Sequence, residues 1–168
     1  MKIKHLILPL IILVTGLVIN SCKKENTNNI QALLVGKWQL ASVQATYYTG
    51  NSMDSTTLLN TTCDSNQVFT FKADNTCTYT NFHCLAQPVA SGQWALTENK
   101  LFLQSNMVCK DTTAAGTSKP FSYAQIFNLG QFSLVLNTGD IQPNYSLTAK
   151  RIIIQYGFIN QKSLGIPQ

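Results

Sequence analysis

The feature that most limits the fold is an alternation of period two, carried in short runs that turn-forming residues interrupt. In Gly36-Lys37-Trp38-Gln39-Leu40 polar and apolar residues take turns, and Val68-Phe69-Thr70-Phe71-Lys72 behaves the same way. Successive side chains of an extended chain point to opposite faces, so such runs make strands with one buried face. Ala73-Asp74-Asn75 breaks the second run before Cys77-Thr78-Tyr79-Thr80 resumes it, which predicts a hairpin. Trp94 and Leu96 precede a turn at Thr97-Glu98-Asn99, and Leu101 and Leu103 follow it. Phe121 to Leu129 and Gln131 to Leu136 flank Gly130 as a third hairpin, and Tyr145 to Ile154 closes the series with Leu147 and Ala149 on one face. No long stretch carries a helical period. Roughly eight to ten short strands with tight turns predict an all-β domain, an antiparallel barrel or sandwich. The polar residues 49 to 62 read as a loop, and the conformation of 155 to 168 is left open.

The start of the chain is different. Lys2 and Lys4 form a positive head, Leu6 to Ile19 carries no charge, and the small Ser21 precedes Cys22. A charged head, an apolar middle and a small-residue exit predict a secretory signal peptide over residues 1–21. The apolar run would reach about 21 Å as a helix, short of the roughly 30 Å hydrocarbon core of a bilayer. Ile19-Asn20-Ser21-Cys22 resembles a bacterial lipobox, which implies acylation of Cys22 and stable tethering to a membrane. Residues 22–32 then read as a flexible tether, because Lys23 to Asn29 is polar and has no apolar period. The single domain spans 33–154, and 155–168 is a C-terminal tail.

Charge and cysteine usage bound the function. Twelve basic against 7 acidic side chains give +5, and loss of Lys2 and Lys4 with the leader leaves +3. No basic stripe or nucleic-acid motif accompanies that mild excess, so a nucleic-acid partner is not expected. Export places Cys63, Cys77, Cys84 and Cys109 in an oxidising compartment, where cysteines pair. Lys72 beside Cys77 at the hairpin turn puts Ser65 opposite Cys84, so Cys63 and Cys84 share the open end of that hairpin and are expected to bridge. A second bridge, Cys77 with Cys109, remains by elimination but fits only if residues 107 to 113 fold back. Cys84 with Cys109 is the other option. No metal site is expected, since no Cys-x-x-Cys or His-x₃-His spacing occurs.

Gly36-Lys37-Trp38 resembles the Gly-x-Trp signature of lipocalins. FTFKADNTCTY, SGQWALTENKLFL and NLGQFSLVL, in that order across roughly residues 33 to 150, resemble the small lipocalin-like lipoproteins of Gram-negative envelopes. Those show a phenylalanine strand, an Asp-Gly turn, a Gly-x-Trp strand and a Leu-x-Leu strand. Here Asn75 replaces the turn glycine, a mild change because Asn tolerates positive φ. The domain is also shorter, which implies a smaller cavity. The resemblance implies an up-and-down barrel of about eight strands, whose interior side chains fill or which holds one small ligand. It also implies a place in the cell envelope, anchored to the outer membrane through acylated Cys22. Lys23 and Lys24 after that cysteine favour the periplasmic side.

Candidate site residues follow from the inward positions. Trp38, Phe69, Phe71, Tyr79 and Trp94 are either plain core or the floor and walls of a cavity for a small hydrophobic ligand. His83 lies near a strand end and suggests a solvated or hydrogen-bonded residue. Asp111-Thr112-Thr113 reads as a polar loop. No Gly-x-Ser-x-Gly elbow, phosphate loop or paired carboxylates stand out, so neither an enzyme nor a cofactor is expected. The leading expectation is therefore a lipid-anchored binding module for a small hydrophobic molecule. The competing one is a filled barrel that binds another protein, or inhibits a hydrolase, through its loops.

Overall fold

A computed structural model describes residues 28–86, 89–112 and 114–164. The leader, Cys22 and the first part of the tether lie outside them. The described residues form one short α-helix, α1 (Asn28–Leu34), eleven strands and three 3₁₀ turns, Asp64–Asn66, Phe82–Cys84 and Gln161–Leu164. The strands are β1 (Gly36–Thr49), β2 (Ser52–Leu58), β3 (Val68–Phe71), β4 (Thr76–Thr80), β5 (Ala90–Leu96) and β6 (Phe102–Ser105). They continue with β7 (Cys109–Lys110), β8 (Thr117–Ser118), β9 (Ala124–Leu129), β10 (Ser133–Gly139) and β11 (Lys150–Asn160).

Eight strands close on themselves in the order β1, β3, β4, β5, β6, β9, β10, β11, and β11 pairs back onto β1. Every pairing is antiparallel. The expected all-β barrel is what the chain forms, and closure leaves those eight strands without a free edge. β1 is long enough to serve two neighbours on one side. Its first residues pair with β3, Trp38 opposite Phe69, and its second half pairs with β2, Ala45 opposite Thr57. The β3–β4 register sets Phe71, not Lys72, opposite Cys77, one residue from the expected pairing. Asn75 takes φ 63° at the turn, the conformation expected of it there.

The ends of the barrel differ. At one end the short turns 72–75, 97–101 and 130–132 meet α1. Ile30 and Leu34, one helical turn apart, face the core, and Trp38 Nε1 donates to Leu34 O at 2.7 Å. A seven-residue helix is marginal alone, so it stands on this burial. It ends at Leu34, and Gly36, whose φ of 148° suits glycine, opens β1 two residues later. The other end carries the long connections 59–67, 81–89, 106–123 and 140–149. The third contains the β7–β8 ribbon and is pinched at its base where Ser105 N donates to Phe121 O at 2.9 Å.

The aromatic core fills the half of the barrel nearer α1. Phe69 lies 4.0 Å from Phe71 and 4.8 Å from Phe121 between ring centroids, and Phe71 meets Trp94 edge-on at 5.4 Å. Each fully buried large apolar side chain contributes about 1.5–3 kcal/mol through transfer from water.

Several expectations need correction. Residues 28–32, expected in the tether, belong to α1. The 49–62 loop contains β2, whose seven residues are all exposed, so no buried face imposes a period on its sequence. The tail begins six residues too early: β11 runs to Asn160 and buries Tyr156 and Phe158, because it closes the barrel against β1. Conversely, Leu147 is 74% exposed and precedes β11, while Phe121 is buried core outside any strand.

Candidate cleft at the open end

Above the aromatic half, the barrel opens into a cleft of about 770 Å³. Its apolar wall includes Val43, Leu59, Phe82, Ile141, Ile154 and Tyr156, and its polar groups include Asp64, Gln67, His83, Asp111, Ser118 and Thr138. β1, β10 and β11 supply the barrel side. The connections 59–67, 81–89, 106–123 and 140–149 supply the rest.

Two of those connections are stapled. Cys63 and Cys84 form the expected disulfide, with Cα atoms 5.8 Å apart. The staple holds a backbone that is otherwise unfavourable. Asn81, His83 and Cys84 all have φ between 52° and 62°. Non-glycine residues in this region cost about 1–3 kcal/mol each, and such conformations persist where the surroundings over-determine them. Here the surroundings are the disulfide, the burial of Phe82 and a contact made by His83. The imidazole stacks on Phe82 at 4.0 Å and its Nδ1 lies 2.8 Å from Asp111 Oδ1.

This pair is the main polar feature of the cleft. Asp111 has 6% of its side chain exposed, His83 43%. Burial by itself pushes the Asp111 carboxyl up, but the Ser118 hydroxyl, the His83 contact, the Thr112 N–H and the His83 charge outweigh it. The carboxyl therefore lies below its ordinary value. Ser118 Oγ acts in that direction from beside the carboxylate, although it meets no partner in hydrogen-bond geometry. Asp64 sits nearby as a structural carboxylate that takes bonds from Asn60, Thr61 and Gln67. Gln67 in turn accepts from Tyr79 Oη at 3.3 Å.

The family model described as Domain of unknown function (DUF5004) matches residues 20–148. The chain belongs to that family. No curated protein and no solved structure matches it. The DUF5004 match stops just short of β11, the strand that closes the barrel.

The five aromatics nominated as ligand contacts occupy a different place from the cleft. Trp38, Phe69, Phe71, Tyr79 and Trp94 are at most 3% exposed and pack against one another below it. Their polar atoms are satisfied internally: Trp94 Nε1 donates to Lys72 O at 3.1 Å, as Trp38 does to Leu34. They are the floor on which the cleft rests, and none of them lines it. Cys77 and Cys109 are buried thiols, bridged neither to each other nor to Cys84. Cys77 Sγ instead lies 3.3 Å from Ser105 Oγ. Burial, then the Asp111 charge and the neighbouring Cys77, pushes the Cys109 thiol up to about 12. Among the described residues no cluster of three metal-ligating side chains occurs. Cys22 lies outside them.

Sequence reasoning missed the His83–Asp111 pair. His83 was visible as the sole histidine after the leader, and Asp111 as one carboxylate among seven acidic residues. Nothing local ties two residues 28 positions apart.

Proposed function

We propose that this DUF5004 member is a lipocalin-like binding protein that holds a small hydrophobic molecule in the cleft at the open end of its barrel. The observation that carries this is the volume of about 770 Å³ above a closed aromatic floor. That is within the range of small-molecule sites, about 300–1,000 Å³, and the wall is mainly apolar with a few convergent polar groups. Acylation of Cys22 would tether the barrel to the outer membrane, facing the periplasm, which suits a carrier of poorly soluble molecules. A shallower depression of about 540 Å³, lined by residues that include Asp74, Gln93, Trp94 and Asn106, is more open and about as polar as apolar, and supports this role less well.

The competing interaction protein requires a barrel filled throughout. The α1 half fits that description and the open half does not. The test is Nile red fluorescence with the full chain in lipid nanodiscs, read against empty nanodiscs. Uptake that Ile154→Trp removes by filling the cleft is the expected result. Nile red signal no greater than that of empty nanodiscs sinks the reading.

A further inference from the structure

Exposed apolar side chains gather at the α1 end of the barrel, on the wall built by β9, β10 and β11. Phe127 is 64% exposed and Phe132, in the 130–132 turn, 53%. Leu101 and Ile159 are exposed beside them. The four are neighbours. Leu101 O accepts from Ile126 N at 2.8 Å, one residue before Phe127, and Phe132 O accepts from Asn160 N at 3.0 Å, one residue after Ile159. Strand β10 lies between, with Ser133 opposite Ile159 and Val135 opposite Asn128. None of the four belongs to the core or lines the cleft. A cluster of exposed apolar side chains of this kind marks a surface that meets something other than water.

Charge and chain length say what that is. After the leader, Lys23, Lys24, Lys37, Lys72, Lys100 and Lys162 precede α1 or lie at its end of the barrel. Three acidic residues, Glu25, Asp74 and Glu98, accompany them, while the open end carries four residues of each sign. The whole excess of +3 therefore sits on the side of the patch. Basic residues around an apolar patch suit the anionic surface of a bilayer. The chain also restricts which end can meet that surface. Asn28 opens α1 six residues after Cys22, and six residues fully extended reach at most about 22 Å. The 14 residues of β1 run about 46 Å from the α1 end, or about 35 Å along the axis at a tilt of about 40°. A link of the shorter reach cannot bring the open end round to face the bilayer, although Met53 and Leu147 are exposed there.

We infer that the barrel rests its α1 end on the bilayer that holds Cys22, with Leu101, Phe127, Phe132 and Ile159 at the boundary of head groups and acyl chains. The lysines of that end lie against anionic lipid, and the cleft opens away from the bilayer. This rests on the acylation of Cys22 proposed above. The test places the dye NBD on the acylated protein at Phe132→Cys or, in the 140–149 connection, at Leu147→Cys. Each protein is held in nanodiscs of phosphatidylcholine and phosphatidylglycerol with brominated acyl chains, which quench only a dye that enters them. Both positions are exposed, whereas Cys77 and Cys109 are buried from the label. Quenching should be at least about twofold stronger at 132 than at 147, as a side chain about 5–10 Å into the interface requires. Phe127→Cys should give the same excess if a label at 132 unsettles the turn. Equal quenching at the two ends, with Cys22 shown acylated by mass spectrometry, overturns the inference and leaves the anchor standing. A Cys22 without acyl chains sinks the anchor and this orientation together.

Discussion

His83 and Asp111 show how a residue type acquires a role from its surroundings. Asp111 is buried, which alone would favour its neutral form, yet the Ser118 hydroxyl, the His83 imidazole and the Thr112 N–H together hold it below its ordinary pKa. The consequence for stability has a definite sign. A carboxyl whose folded pKa is depressed binds fewer protons in the native state than in the unfolded one, so its contribution is full above the unfolded value of about 4. That contribution is lost as pH falls through the lower, folded value. Acid unfolding followed by circular dichroism should therefore show wild type losing stability relative to Asp111→Asn as pH drops below about 4. Parallel acid profiles for the two proteins would contradict the assignment. The lone histidine and the carboxylate were both visible in the chain, but their meeting depends on where the β7–β8 ribbon lands.

At the scale of elements, β5 illustrates a constraint hidden behind a simple alternation. Gly92 sits opposite Cys77 in the β4–β5 pair, and a Cβ there would come within 2.7 Å of both Met107 N and Met107 Cα. The backbone of the 106–123 excursion crosses the strand at that point, and only the missing side chain lets it. Gly92→Ala should destabilise the fold by about 1–3 kcal/mol, the usual cost of overpacking, because backbone rather than a flexible side chain must move. Thermal unfolding checks this, and an unchanged midpoint would mean that the excursion is not seated on β5. β2 is the opposite case. Nothing in the polar sequence of residues 52–58 announces a strand, since all seven are exposed and no buried face marks the pairing with β1. Arg151 then ties the β1–β2 turn to the connection after β10. Its Nη2 donates to Gly50 O at 2.8 Å, and the guanidinium lies 3.5 Å over the Tyr145 ring.

For the molecule as a whole, the division of labour runs along the barrel axis. One end is closed by α1 and packed aromatics and supplies stability. The other is held open by long connections and carries the cleft. The Cys63–Cys84 staple joins two of those connections across a separation of 21 residues, and it keeps His83 in its unfavourable backbone conformation. Loop-closure entropy puts the stabilisation at about 3 kcal/mol for a link of this span. The Cys63→Ser, Cys84→Ser double variant should unfold at a temperature several degrees lower and take up less Nile red. A variant that matches wild type in both measurements would show that the staple neither stabilises the fold nor shapes the cleft.

Much of the barrel was legible in the chain, and the physical reason is local. The pleat of an extended backbone turns alternate residues inward whatever their distant partners, so Trp38, Phe69, Phe71, Tyr79 and Trp94 announce their burial and the strands announce themselves. Counting along one hairpin favoured Cys63 with Cys84, because hairpin neighbours are close in sequence, but Cys84 with Cys109 stayed open until the tertiary structure placed the 106–123 connection. What lay beyond reach depends on closure. β11 completes the ring only when it meets β1, more than a hundred residues away, so Tyr156 and Phe158 looked like a tail. The cleft forms where the ribbon at 109–118 faces the 81–84 turn, and that contact, not any motif, brings His83 to Asp111.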